Sequence, residues 1–203
     1  HRSIVDGLSR VVRDDGVVPS VRELATAAGV SKSAAAAALV RLSAEGHLAG
    51  RPPRLSSQHR ARLAERWIEA YRTVLRPAAV FGRFQGAATG EALEAAIVRA
   101  FDGRRFAFGG TTGAYRSVPH YRGSETMIFA PEFDETDRLR LRVLPAQDGH
   151  LHVLRIAAPA AYLNDSPDGA HPLLLYAELS AVDDDRAHEA AAELAKIRLP
   201  WLR

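Results

Sequence analysis

The sequence predicts an α+β protein with a helical amino-terminal region, a connecting helix and a carboxyl-terminal region of mixed strands and helices. Three observations predict it. Two helical patterns, each with a capping serine, are separated by a glycine turn between residues 20 and 46. Beyond residue 78, runs of period 2 alternate with runs of period 3.6. The charge changes sign near the same boundary. Residues 1–83 carry 14 Lys/Arg against 7 Asp/Glu, and residues 84–203 carry 13 against 17. A basic part joined to an acidic part suggests two tasks, the first of them contact with a polyanion.

Composition narrows the classes further. The chain has 203 residues, 47% hydrophobic and 25% charged, as in an ordinary globular protein. Cysteine is absent, which removes disulfides, thiol nucleophiles and thiolate metal sites. Apolar runs such as Ala34–Val40 and Pro172–Tyr176 fall far short of the roughly 18 residues of a membrane helix. No charged-then-apolar leader opens the chain, so a cytoplasmic location away from membranes is expected.

The elements follow in order. Ile4, Leu8, Val11 and Val12 recur at near-helical spacing, and Asp14-Asp15-Gly16 closes that helix. Ser20 and Glu23 stand at capping-box spacing. A helix from Val21 to Ala28 follows and Gly29 supplies a left-handed turn. Ser31 caps a third helix from Lys32 to about Glu45, and Gly46 stops it. Leu24, Ala28, Val30, Ala35, Leu39 and Leu42 are the expected core of this region. Residues 47–55, HLAGRPPRL, read as a short wing.

The run VRELATAAGVSKSAAAAALVRLSAEGHL resembles the helix-turn-helix of winged-helix transcription regulators. The resemblance implies that the third helix enters the major groove. The expected base contacts are Lys32, Ser33 and Arg41, and Arg51 and Arg54 of the wing are expected to reach phosphate or the minor groove. Arg22, Arg60 and Arg62 are expected on phosphates. The presented face otherwise carries Ala34, Ala36, Ala37 and Val40. Alanine offers only contact with a thymine methyl, so most affinity is expected from phosphates and DNA shape.

Residues 56–76, SSQHRARLAERWIEAYRTVLR, read as an amphipathic connector ended by Pro77, with Leu63, Trp67, Ile68, Tyr71, Val74 and Leu75 recurring at helical steps. The expected divisions are therefore 1–55, 56–77 and 78–203. In the last of these, Ala79–Phe84 reads as a strand or turn, Arg105–Phe108 and Thr126–Ala130 as strands, and Glu91–Phe101 and Thr111–Val118 as helices. In the first of these helices Leu93, Ile97 and Val98 are expected inward. Leu139–Leu144 and Leu151–Ile156 read as a hairpin about Asp148-Gly149. Pro172–Val182 and Asp185–Leu199 read as helices, the second opened by acids that suit a helix amino terminus.

Two further resemblances lie here. HPLLLYAELSAVDDDRAHEAAAELAKIRL, LRPAAVFGRFQG and FAFGGTTGAYRSVPHYRGSETMIFAPE together are similar to the antitoxins of type IV toxin–antitoxin systems, the abortive-infection antitoxin family. That resemblance implies an autorepressor that binds double-stranded DNA through its amino domain. Its carboxyl domain would counter a partner toxin, itself a nucleotidyltransferase-like enzyme. The second is narrower. Gly109-Gly110-Thr111 followed by Glu125-Thr126-Met127 is similar to the nucleotidyltransferase signature, in which two carboxylates one residue apart hold Mg²⁺. Here Met127 takes the second slot, and a thioether is a poor ligand for a hard cation. A degenerate, non-catalytic version is expected, with no metal, no cofactor and no catalytic residue. The enzyme alternative would act through Glu125, and a third alternative is a ligand-sensing repressor with an apolar pocket. His150 and His152 read as surface histidines, and Asp134, Glu135 and Asp137 as a solvated helix start or loop. A homodimer is compatible with all of these.

Overall fold

A computed structural model describes residues 16–156, 161–162 and 169–202. The expected helix over residues 3–13 lies outside the described residues. The chain divides into two compact units, one built mainly from residues up to Ala70 together with Pro200–Arg203, the other from Tyr71 to Leu199 apart from 158–161.

In the first unit, α1 (Val21–Ala28) starts at a complete capping box. Glu23 N donates to Ser20 Oγ, and Ser20 N donates to the Glu23 carboxylate at 2.9 Å. Gly29 ends it at φ +64°, a conformation that a β-carbon disfavours. Ser31 caps α2 (Lys32–Ala44) by accepting from Ala34 N. Leu24, Ala28, Ala35 and Leu42 are buried between the helices, with Val30 and Leu39 packed against them. After Gly46 the chain doubles back: Ala49 and Arg54 exchange both backbone hydrogen bonds, and Leu55 N donates to Gly16 O. α3 (Ser57–Ala70) buries Leu63, Ala64 and Trp67.

The helical path does not stop at Pro77. A π-helical turn over Tyr71–Leu75 leads into α4 (Arg76–Ala79), with Pro77 in its first turn. An early helical position needs no amide donor, so proline is tolerated there. Tyr71 is buried, but Val74 of the expected inward stripe is exposed. The wider π turn rotates residues off the 3.6 period.

Among the described residues of the second unit, five strands form one sheet in the order β2-β3-β5-β1-β4. They are β1 (Val80–Gly86), β2 (Ala107–Gly109), β3 (Thr126–Ala130), β4 (Val143–Pro145) and β5 (Leu151–Arg155). The β3–β5 pair is parallel and the others are antiparallel. α5 (Gly90–Ala100) buries Leu93 and Ile97 in a cluster with Phe108, Ile128, Leu151 and Val153. Val98, expected inward, is exposed. α6 (Gly110–Ser117), α8 (Pro172–Leu179) and α9 (Asp185–Arg198) pack together. α6 also lies against β2 and β3.

The expected hairpin is corrected. Residues 135–141 form α7 (Glu135–Leu141), and β4 pairs with β1 rather than β5. Asp134 and Asp137 close a capping box over α7, and Arg142 ends it in the left-handed region at φ +53°. Two caps around seven residues outweigh a β-like alternation of Leu and Arg. Asp137 is also not solvated. It is fully buried, and Arg104 donates to both carboxylate oxygens at 2.5 and 3.1 Å.

Candidate functional site

Each unit carries one candidate site. In the first, burial divides α2 cleanly. Ala35, Ala38 and Leu42 face the core. Ser33, Ala37, Val40 and Ala44, at steps of four, three and four, run along the opposite face and are exposed. Lys32 and Arg41 are also exposed on this helix, as are Arg22 on α1, Arg62 on α3, and Arg51 and Arg54 beyond α2. Ser33 Oγ lies 3.0 Å from Ser31 Oγ, so its hydroxyl is shared with the cap. Arg60 differs from the rest. It is half-buried, with its guanidinium 4.0 Å above the Trp201 ring. The residues 16–70 hold eight Lys/Arg and four Asp/Glu, and one of these acids, Glu45, is 3.3 Å from Arg66. Val40, placed by the sequence on the presented face without a role of its own, stands out by its exposure. Its side chain is 70% exposed, and no other large hydrophobic described in this unit is exposed. Its helical phase relative to Leu42 was the signal available.

The second site is a cavity of about 410 Å³. It is lined by Gly110 and Thr111 at the start of α6, by Glu125 just before β3, and by Met127 of β3 and His152 of β5. Arg76, Glu178 and Leu179 close another side, with Asp183 and Asp184 beyond them. Sheet register makes the row: Met127 pairs with His152, and His152 pairs with Arg83. All three therefore point to one face. Arg83 Nη2 donates to Glu125 Oε1 at 2.5 Å, and Arg83 Nε donates to Gly149 O at 3.2 Å. His152 Nε2 lies 3.3 Å from the same Glu125 oxygen. Across the cavity, Glu178 is 1% exposed; Tyr71 Oη donates to it and Arg76 Nε lies 2.9 and 3.0 Å from its two oxygens. Tyr121 Oη donates to Asp184, which also caps α9.

These residues do not fit a pair of divalent cations. Glu125 already neutralises a guanidinium, Met127 offers sulfur, and no group of three His, Asp or Glu able to hold a metal occurs among the described residues. Neither His150 nor His152 is a surface histidine. His150 is 2.9 Å from Ala88 O and 3.2 Å from Gln85 Oε1, and both rings are half-buried.

Burial pushes the His152 imidazole below its ordinary pKa of 6.5, outweighing the opposing pull of Glu125, and burial lowers His47 in the first unit as well. The unfolded chain takes up protons near pH 6.5 that the folded chain refuses, so stability present above that value is lost as pH falls through it. The urea midpoint is expected to decrease from about pH 7.5 to about pH 5.5, and His152→Gln is expected to flatten that decrease. An unchanged slope in the variant removes His152 from the account.

One unit thus presents an exposed cationic helical surface, and the other a pocket whose residues do not fit a pair of divalent cations. Residues 54–197 match the family model described as "Transcriptional regulator, AbiEi antitoxin, Type IV TA system", and the chain belongs to that family. The match covers the second unit and α3 and leaves α1 and α2 outside it. No curated protein and no solved structure matches the chain. No helix among the described residues is long and apolar enough to cross a membrane.

Proposed function

We propose that this chain is a cytoplasmic, non-enzymatic antitoxin and autorepressor. Its winged helix-turn-helix, residues 1–55, binds duplex DNA, and residues 78–203 bind or counter a partner toxin protein. The observation that carries the DNA part is the set of exposed cations Arg22, Lys32, Arg41, Arg51, Arg54 and Arg62, on and around a helix whose outer face presents no acid between Ser33 and Ala44. Ser31 capping, the Gly29 turn and the Ala49–Arg54 backbone pair support the winged-helix reading. Family membership supports the antitoxin part. A gel-shift titration of the full chain tests it. Retardation of a duplex from its own promoter region at ~50 mM salt is the expected result. No retardation of any duplex there, where phosphate contacts are strongest, overturns it.

A second reading, a ligand-sensing repressor, is favoured by one observation. Arg76 in the cavity wall belongs to the helical segment that begins at Tyr71, the first residue of the second unit. A ligand that breaks the Arg76–Glu178 pair would act on that segment. A panel of polar metabolites is expected to yield one that raises Tm and changes duplex affinity together. A panel with no stabilising member retires this second reading.

A further inference from the structure

We infer that α2 reads its DNA through thymine methyl groups, with Val40 as the residue that sets specificity; this rests on the duplex-binding reading above. The inference starts from what α2 can offer a groove. Val40 is 70% exposed and lies on the face opposite Ala35, Ala38 and Leu42, which are buried. Such a face is the one a groove would meet. Its side chains at successive turns are Ser33, Ala37, Val40 and Ala44, and the Ser33 hydroxyl is shared with Ser31. Lys32 and Arg41 are the exposed cations of the same helix. They suit phosphates or a guanine edge at the margins, while the centre of the face is hydrocarbon.

The floor of the major groove presents acceptors at guanine N7 and O6, adenine N7 and thymine O4, donors at cytosine N4 and adenine N6, and one apolar feature, the thymine 5-methyl. Val40 set against an acceptor or donor would strip it of water and leave it without a partner. Against a thymine methyl it buries two hydrocarbon groups at once. One methyl-sized group removed from water is worth about fourfold in affinity. The outer face of α2 therefore selects by exclusion: edges that present only polar groups are penalised, and thymine, which sets a methyl beside its O4, is accepted. Charge complementarity selects the occupant, since residues 16–70 carry eight Lys/Arg against four Asp/Glu.

The test uses the full chain and a duplex selected by it from a random pool. At one or more thymines of that duplex, replacement by deoxyuridine, which deletes only the methyl, is expected to weaken binding about fourfold. Replacement by cytosine at the same position weakens binding, and 5-methylcytosine recovers part of the loss. Val40→Ala is expected to shrink the thymine–deoxyuridine difference, because alanine offers the methyl less hydrocarbon, so the two changes do not add. The selected duplex bound with every thymine replaceable by deoxyuridine at no cost overturns the inference and leaves the duplex-binding reading standing. A thymine–deoxyuridine difference undiminished by Val40→Ala overturns the role of Val40. The nucleotide series with the unsubstituted chain decides the methyl readout even where the variant folds poorly. No binding to any duplex at ~50 mM salt overturns both readings together.

Discussion

Raising salt from about 50 to about 200 mM is expected to weaken duplex binding by the full chain about a hundred-fold. The reason is counterion release: each neutralised phosphate contributes about −0.9 to the slope of log affinity against log salt. With Arg22, Arg51, Arg54 and Arg62 on phosphates, the slope is about −3.6. Replacing any one of the four by alanine is expected to lower the slope by about one and to weaken all duplexes alike. Arg60 supplies the contrast. Its guanidinium stacks on Trp201, so Arg60→Ala is expected to leave the slope unchanged and to lower Tm through the lost ring contact. Binding isotherms at four salt concentrations check both. A slope that stays flat across this range refutes phosphate contact by these side chains.

Asp137→Ala is expected to be the most damaging single change at a charged position, costing about 2–3 kcal/mol. The carboxylate is fully buried and satisfies both Arg104 and the Asp134 amide. Removing one partner of a buried pair leaves the other charge uncompensated. Arg104 retains 33% exposure, so its guanidinium regains part of its hydration and the loss stays below the full penalty for an enclosed pair. A shift of about 5–10 °C in Tm corresponds to that cost at this chain length. Asp137→Asn, which still accepts at the cap but carries no charge, is expected to lose less. Equal losses in the two variants would show that the ion pair contributes nothing beyond the cap.

The two sites were legible to different degrees for physical reasons. The helices of the first unit are specified locally. Ser20, Glu23, Gly29 and Ser31 act within three or four residues of themselves, and such short-range chemistry is written in neighbouring letters. The exposure of the cations follows from the same periodicity. Asp137 failed because its burial depends on Arg104, 33 residues away, and no local pattern reports that pairing. The region 139–144 failed because Arg142 takes a left-handed conformation that an arginine adopts only when surrounding contacts outweigh its cost.

By itself the sequence determined the α+β class, the capped helices on either side of Gly29, the division of charge and the loss of the second carboxylate at Met127. Periodicity, capping and composition are properties of the chain, and they survive any choice of fold. Only the tertiary structure decided that β3 lies parallel to β5, and so that Met127, His152 and Arg83 form one row with Arg83 neutralising Glu125. It also decided that Arg76, Tyr71 and Glu178 share one buried cluster. The contacts that join these residues, from Met127–His152 to Tyr71–Glu178, span 25 to 107 positions of the chain. Contacts over such distances exist only once the hydrophobic core has chosen which strands stand side by side.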